Sequence, residues 1–266
     1  MIVQSLHRWT DGALVPVTPT THASTAPTGG EIIIAADSWL VKNGASLALD
    51  LHRQRFRSAT LGGGGSEAEL DAFWNAAIAA IPRSGSWFPR VERVTVAGRD
   101  EFTLEIRPAP KLTRSLRLAS HVGADPRTNP TIKGPDTRAL LAARSAVATV
   151  GADEAIILSD HVVVEGAYSA IVWWRGDVLC SPSVELERVS SVTARALLGL
   201  ATALGVERYD ESVTPEELDG CEIWSLGALH GIRIVTHWVD GPAPAESPGR
   251  LALWRTRLDR LVSPLD

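Results

Sequence analysis

A chain of 266 residues is long enough for one large domain or two modest ones. Its apolar share of 45%, charged share of 21% and net charge of −5 describe an ordinary globular protein and argue against a nucleic-acid-binding face. No run approaches the ~18 apolar residues a membrane helix needs, and residues 1–12 lack an apolar signal core, so the expected location is cytoplasmic. Cys180 and Cys221 show no metal-ligand spacing and read as thiols, and no metal is expected.

In chain order, Met1 to Leu6 reads as a short strand. The following VPVTPTTHASTAPTGG is too polar and too proline-broken to bury a core and reads as a surface loop. Residues 31–40 form a strand and tight turn, and Asn43-Gly44 carries a hairpin signal. A helix starts near Leu49 with Asp50 as its expected N-cap. The glycines at 62–65 read as a flexible link, because no Lys-Ser/Thr follows as a phosphate loop requires. Ser66 opens a second helix with a capping-box pattern, its Leu70, Phe73, Trp74, Ala77, Ile78 and Ile81 on one face. Residues 87–96, 101–107 and 115–119 read as strands. These elements make a small N-terminal domain, residues 1–122, joined by a linker at 123–132 to a C-terminal domain at 133–266.

From Lys133 the chain reads KGPDTRALLAARSAVATVGADEAIILSDHVVVEGAYSA. Leu140, Leu141, Ala143, Ala146, Val147 and Val150 recur at helical spacing, and Gly151 closes the helix. Strands at 155–158 and 162–164 flank a turn at 159–161; the second ends at Glu165-Gly166, and another strand follows at 170–174. Later come a strand end at Leu179-Pro182, a segment at 187–193 leading into a helix that runs to about Leu204, a strand at 206–209 and a helical turn at 214–218. Strands at 221–226 and 232–239 and an amphipathic final helix with Leu251, Trp254, Leu258 and Leu261 complete the chain.

The order of lysine, helix, hairpin and strand-end glutamate resembles the fold-type IV pyridoxal-phosphate enzymes. That family includes branched-chain and D-amino-acid aminotransferases and 4-amino-4-deoxychorismate lyase. The resemblance runs from about Asp37 to the end of the chain. It implies a two-domain α+β or α/β architecture, with a small N-terminal α/β domain and a larger C-terminal pseudo-barrel domain with helices. It also implies pyridoxal 5'-phosphate as cofactor, Lys133 as its covalent carrier and proton shuttle, and Glu165 as partner of the pyridine nitrogen. His52 and Arg55 match the family's "His, two residues, Arg" helix, whose arginine binds the cofactor phosphate; a planar, permanently charged guanidinium suits that anion. Ser191, Val192 and Thr193 match a loop that holds the phosphate at a helix start, where free amides and the helix dipole favour an anion. Ala228 matches a second phosphate contact, through backbone. Arg107 and His230 are substrate-side candidates, with a solvated strand end as the alternative for Arg107. Ser190, Ser191, Ala194, Ala170 and Gly227 depart from the family's usual residues. The implied activity is amino-group transfer from an amino acid or primary amine to a 2-oxo acid; a pyruvate-releasing lyase or a degenerate, non-catalytic member remain alternatives. The resemblance and the nine Trp together suggest a homodimer.

Overall fold

The computed structural model describes residues 4–17 and 31–265. Two compact units partition the contacts. The first holds residues 1–111, 132–138 and 262–266, and the second holds residues 112–131 and 139–261.

The first unit contains strands β1 (Ser5–Thr10), β2 (Ala13–Val17), β3 (Glu31–Ser38), β4 (Val41–Lys42), β5 (Ala45–Leu47), β6 (Ser86–Trp87), β7 (Arg90–Val96) and β8 (Arg99–Ile106). Its helices are α1 (Leu49–Gly62) and α2 (Glu67–Ala80). One antiparallel sheet runs β2-β1-β8-β7-β3. The hairpin expected at Asn43-Gly44 forms between β4 and β5, with φ of 49° and 73° at the two turn residues. Part of the stretch read as a loop is instead strand: Ala13–Val17 pairs with β1 across Asp11-Gly12, because Leu14 packs against the core while its neighbours face solvent. The rest of that stretch, residues 18–30, and residues 1–3 lie outside the described residues.

Helix α1 forms where expected, but Asp50 is not its cap. Ala48, at φ 49°, stands at the N-cap without a side-chain bond, and Asp50 lies in the first turn beside the positive end of the dipole. The glycines at 62–65 are a tight helix end rather than a loose link. A Cβ on Gly65 would come within 2.8 Å of the Thr60 side chain, so the close packing of this turn requires glycine. Ser66 caps α2, its Oγ accepting from the Glu69 N–H at 3.4 Å. Phe56, Phe73, Trp74 and Phe102 fill the core between the helices and the sheet, with Phe73 and Phe102 stacked at 4.8 Å.

The second unit contains β9 (Ser115–Ser120), most of α3 (Thr137–Ala148), β10 (Glu154–Ser159), β11 (Val162–Gly166), β12 (Ala170–Arg175), β13 (Val178–Pro182), α4 (Val192–Ala203), β14 (Arg208–Glu211), β15 (Glu222–Gly227), β16 (Gly231–Val239) and α5 (Arg250–Asp259). Eight strands make one mixed sheet in the order β11-β10-β9-β16-β15-β12-β13-β14. The sheet curls, so that β11 also packs beside β12 and β13. One face buries Leu116, Ile156, Ile171, Trp173, Ile223 and Trp238; Ala155 and Ile157 on the other pack against Ala143 and Val147 of α3. Gly151, at φ 80°, ends α3: its N–H reaches the Ala148 carbonyl and that of Ala152 reaches Val147, the paired bonds of a Schellman end.

The division differs from the expected boundaries at 122 and 133. Strand β9 is an interior strand of the second unit's sheet, parallel to both β10 and β16. Of the expected linker at 123–132, residues 123–131 belong to the second unit, whereas Ile132 and Lys133 belong to the first. A last strand, β17 (Val262–Pro264), returns to the first unit, pairs with β5 and buries Leu265 in that unit's core.

Candidate active site

In the first unit, Lys133 is fixed through its backbone. Its carbonyl accepts from the Ala36 N–H of β3 at 2.7 Å. Gly134 adopts φ 130°, and a Cβ there would meet Ala36 N at 2.8 Å and Ile33 Cγ2 at 2.9 Å. Only glycine lets the lysine loop lie this close against the strand. Further along β3, Asp37 is wholly buried and receives the Arg55 fork: Nε donates to Oδ2 at 2.8 Å and Nη2 to Oδ1 at 2.7 Å. His52, one turn earlier on α1, donates from Nδ1 to Asp37 Oδ1 at 2.8 Å. Burial opposes ionisation of Asp37, yet Arg55 and His52 hold its carboxyl well below the usual range. Burial pushes the His52 pKa down, and the Arg55 and Lys133 charges add to that against the pull of Asp37. His52 is therefore a neutral ring within electrostatic reach of Lys133. The structure thus groups Lys133, His52, Arg55 and Asp37 in one unit.

In the second unit, Glu165 ends β11 buried. Arg127 Nη1 donates to its Oε1 at 2.6 Å, and the Val189 N–H also bonds the carboxylate. Arg127 is itself clamped, with Nε on Asp125 Oδ1 at 2.9 Å, Nη2 on Asp125 Oδ2 at 2.6 Å and Nη1 also on the Glu187 carbonyl at 3.1 Å. Burial outweighs Arg127 and raises the Glu165 pKa to about 7. The Val189 N–H on Glu165, and the Glu187 carbonyl accepting from Arg127, tie this ion pair to the segment that enters α4. There Ser191 Oγ caps the helix by accepting from the Ala194 N–H at 3.3 Å. Val192 and Thr193 occupy the first turn, where backbone N–H groups have no partner within the helix. Helix α4 packs on β15, which leads into the turn carrying Ala228.

The two substrate-side candidates have local partners. Arg107 Nε donates to the Phe88 carbonyl at 3.1 Å, pairs with Glu105 and lies 5.1 Å from the Phe88 ring centre. His230 Nδ1 accepts from the Thr113 N–H at 3.2 Å. Burial, reinforced by Arg233, Arg144 and Arg255, lowers the His230 pKa to about 4, so at neutral pH it offers an uncharged ring.

Sequence reasoning missed Asp37 and Arg127. Each is a single charged residue whose partner lies far along the chain, and only the Pro126-flanked position of Arg127 in a presumed linker stood out locally. The site fits a phosphorylated pyridine cofactor on this chain's own features. Glu165 is a buried carboxylate whose raised pKa an adjacent cation would relieve, and a capped helix start offers amides to an anion.

Residues 35–238 match the family described as Amino-transferase class IV. The chain belongs to the class IV aminotransferases. No curated protein matches it. Among solved structures, a hypothetical aminotransferase from Mycobacterium tuberculosis in its PLP-bound form superposes with a TM-score of 0.79 at 18% identity, covering 97% of this chain and 98% of that one. A branched-chain aminotransferase from Thermoproteus uzoniensis with norvaline gives 0.78 at 20% identity, covering 98% and 100%. A fold IV transaminase from Curtobacterium pusillum gives 0.78 at 17% identity, covering 96% and 97%. These likenesses agree with the two-unit α+β architecture of this class IV aminotransferase.

Proposed function

We propose that this class IV aminotransferase transfers an amino group from an amino acid or primary amine to a 2-oxo acid, using pyridoxal 5'-phosphate. The observation that carries the reading is Glu165: a buried strand-end carboxylate, held by Arg127 and raised to a pKa of about 7, suits a cationic ring nitrogen. When bound, the cofactor supplies the electron sink for carbanion chemistry at the substrate. Lys133, on its glycine-fixed loop, would carry the cofactor and move protons at the substrate α-carbon. Arg55, the amides of Val192 and Thr193, the Ser191 cap and the Ala228 backbone would hold the phosphate. Arg107 and a neutral His230 would face the substrate.

Purified protein should show the visible absorbance of lysine-bound cofactor, and amino acids should bleach it. A chain without that band, or one that retains it in the Lys133→Ala variant, contradicts the assignment. Pyruvate release without an acceptor would mark a lyase instead.

The same reading includes a homodimer in the cytoplasm. Its support is no longer the tryptophans, eight of which are buried within the chain. It rests on the resemblance and on apolar side chains left in solvent, Val122 at 91% and Val184 at 78% exposure. Sedimentation at micromolar concentration should show two copies; a monomer there refutes the dimer.

A further inference from the structure

The Asp37 carboxylate poses a problem for an arginine meant to hold a phosphate. It accepts from Arg55 Nε and Nη2, His52 Nδ1 and the Ser38 N–H, the last at 2.7 Å, and all of it is buried. An ionised carboxylate on the Nε–Nη2 edge offsets the charge of Arg55. If charge alone attracted the phosphate, Asp37 would work against binding. The fork does something else: it fixes the guanidinium plane, and with it the directions of the Nη1 hydrogens, before any ligand arrives. The same carboxylate reaches His52, three residues earlier on α1, so one acceptor on β3 pins two successive positions of one helix face. Because Asp37 accepts from Nδ1, His52 is held in the tautomer that carries its proton there.

We propose that Asp37 is a positioning residue: through its fork it holds the Arg55 guanidinium in the orientation that meets the cofactor phosphate, giving up part of that residue's net charge to do so. The inference rests on the reading above that Arg55 contacts the phosphate.

Orientation and charge predict opposite signs for one substitution. Protein stripped of cofactor is titrated with pyridoxal 5'-phosphate and, separately, with pyridoxal, for wild type and Asp37→Asn. Positioning predicts that the variant binds the phosphorylated form roughly tenfold more weakly while its affinity for pyridoxal is unchanged. Equal or tighter binding of the phosphorylated form by Asp37→Asn overturns the inference, because Asp37 then only neutralises. An equal loss for both ligands also overturns it, since the phosphate is then not what Asp37 serves. Should the variant not fold, the wild type decides by ¹⁵N NMR without ligand. A single, slowly exchanging Arg55 Nε–H resonance supports the fork, and a rapidly exchanging, averaged one sinks it. Wild type that binds neither ligand defeats the functional reading and the inference together. Wild type that binds, matched by Asp37→Asn, defeats the inference alone.

Discussion

At the residue scale, two buried carboxylates, Asp37 in the first unit and Glu165 in the second, have been pushed in opposite directions by burial and neighbours. Asp37 has two cationic or hydrogen-bonding side chains on it and stays ionised; Glu165 has one guanidinium and is raised to about 7. The sign for Glu165 follows from linkage. Its folded pKa lies above the ordinary value of 4.5, so ligand-free protein is stabilised below about pH 4.5 and loses that stability as pH rises through 7. Melting temperatures of ligand-free protein should therefore fall between pH 5 and 8, and Glu165→Gln should flatten that slope. A variant with the same slope as wild type would place the titration elsewhere. With a cationic ring nitrogen beside it, Glu165 should titrate lower, and the slope should shrink in the loaded protein. Arg127→Met, which keeps the stem but removes the charge, should raise the Glu165 pKa further and move the fall in stability to higher pH.

At the element scale, the lysine is positioned by a loop rather than by a helix or strand. Gly134 lets that loop press on β3, and its φ of 130° is foreign to side-chain-bearing residues. Gly134→Ala should destabilise the protein by more than about 1 kcal/mol and weaken cofactor attachment at the adjacent Lys133. Chemical denaturation measures the first effect and visible absorbance the second. Unchanged stability would mean the loop can lift from β3 without loss. Helix α4 shows the same economy in a different form. Ser191, expected to contact the phosphate, instead bonds the Ala194 N–H through its hydroxyl and so orders the helix start whose amides would meet that anion.

At the scale of the whole molecule, the chain does not hand over once from one domain to the next. It leaves the first unit after residue 111, returns at 132–138 with Lys133, and returns again at 262–266. The second return adds β17 to β5 and places Leu265 in the first unit's aromatic core. Leu265→Ala should cost about 2–3 kcal/mol, from lost burial and the cavity left behind. Differential scanning calorimetry should register this as a melting temperature lower by several degrees; no change would show that β17 is dispensable.

Much of this protein was legible from its sequence because the signals are local. Helical periodicity located the helices, Asn43-Gly44 the hairpin and Gly151 the helix end, each within a few residues of its cause. Ordered motifs around Lys133, Glu165 and Arg55 pointed to the family, and the match over residues 35–238 shows it. What the sequence left open depends on partners distant in the chain. Ala13–Val17 is a strand only because β1 lies beside it, and residues 115–120 join the second unit because β10 and β16 flank them. The nine tryptophans suggested an interface until packing showed eight of them buried within the chain. The environments of the site are tertiary for the same reason. Asp37 meets Arg55 across 18 positions and Glu165 meets Arg127 across 38. Burial, which raises the proton affinity of Glu165, and the Arg55 and His52 partners, which lower that of Asp37 against its burial, exist only in the folded chain. Local chemistry determined which residues could act; long-range contact decided what charge and orientation each would hold.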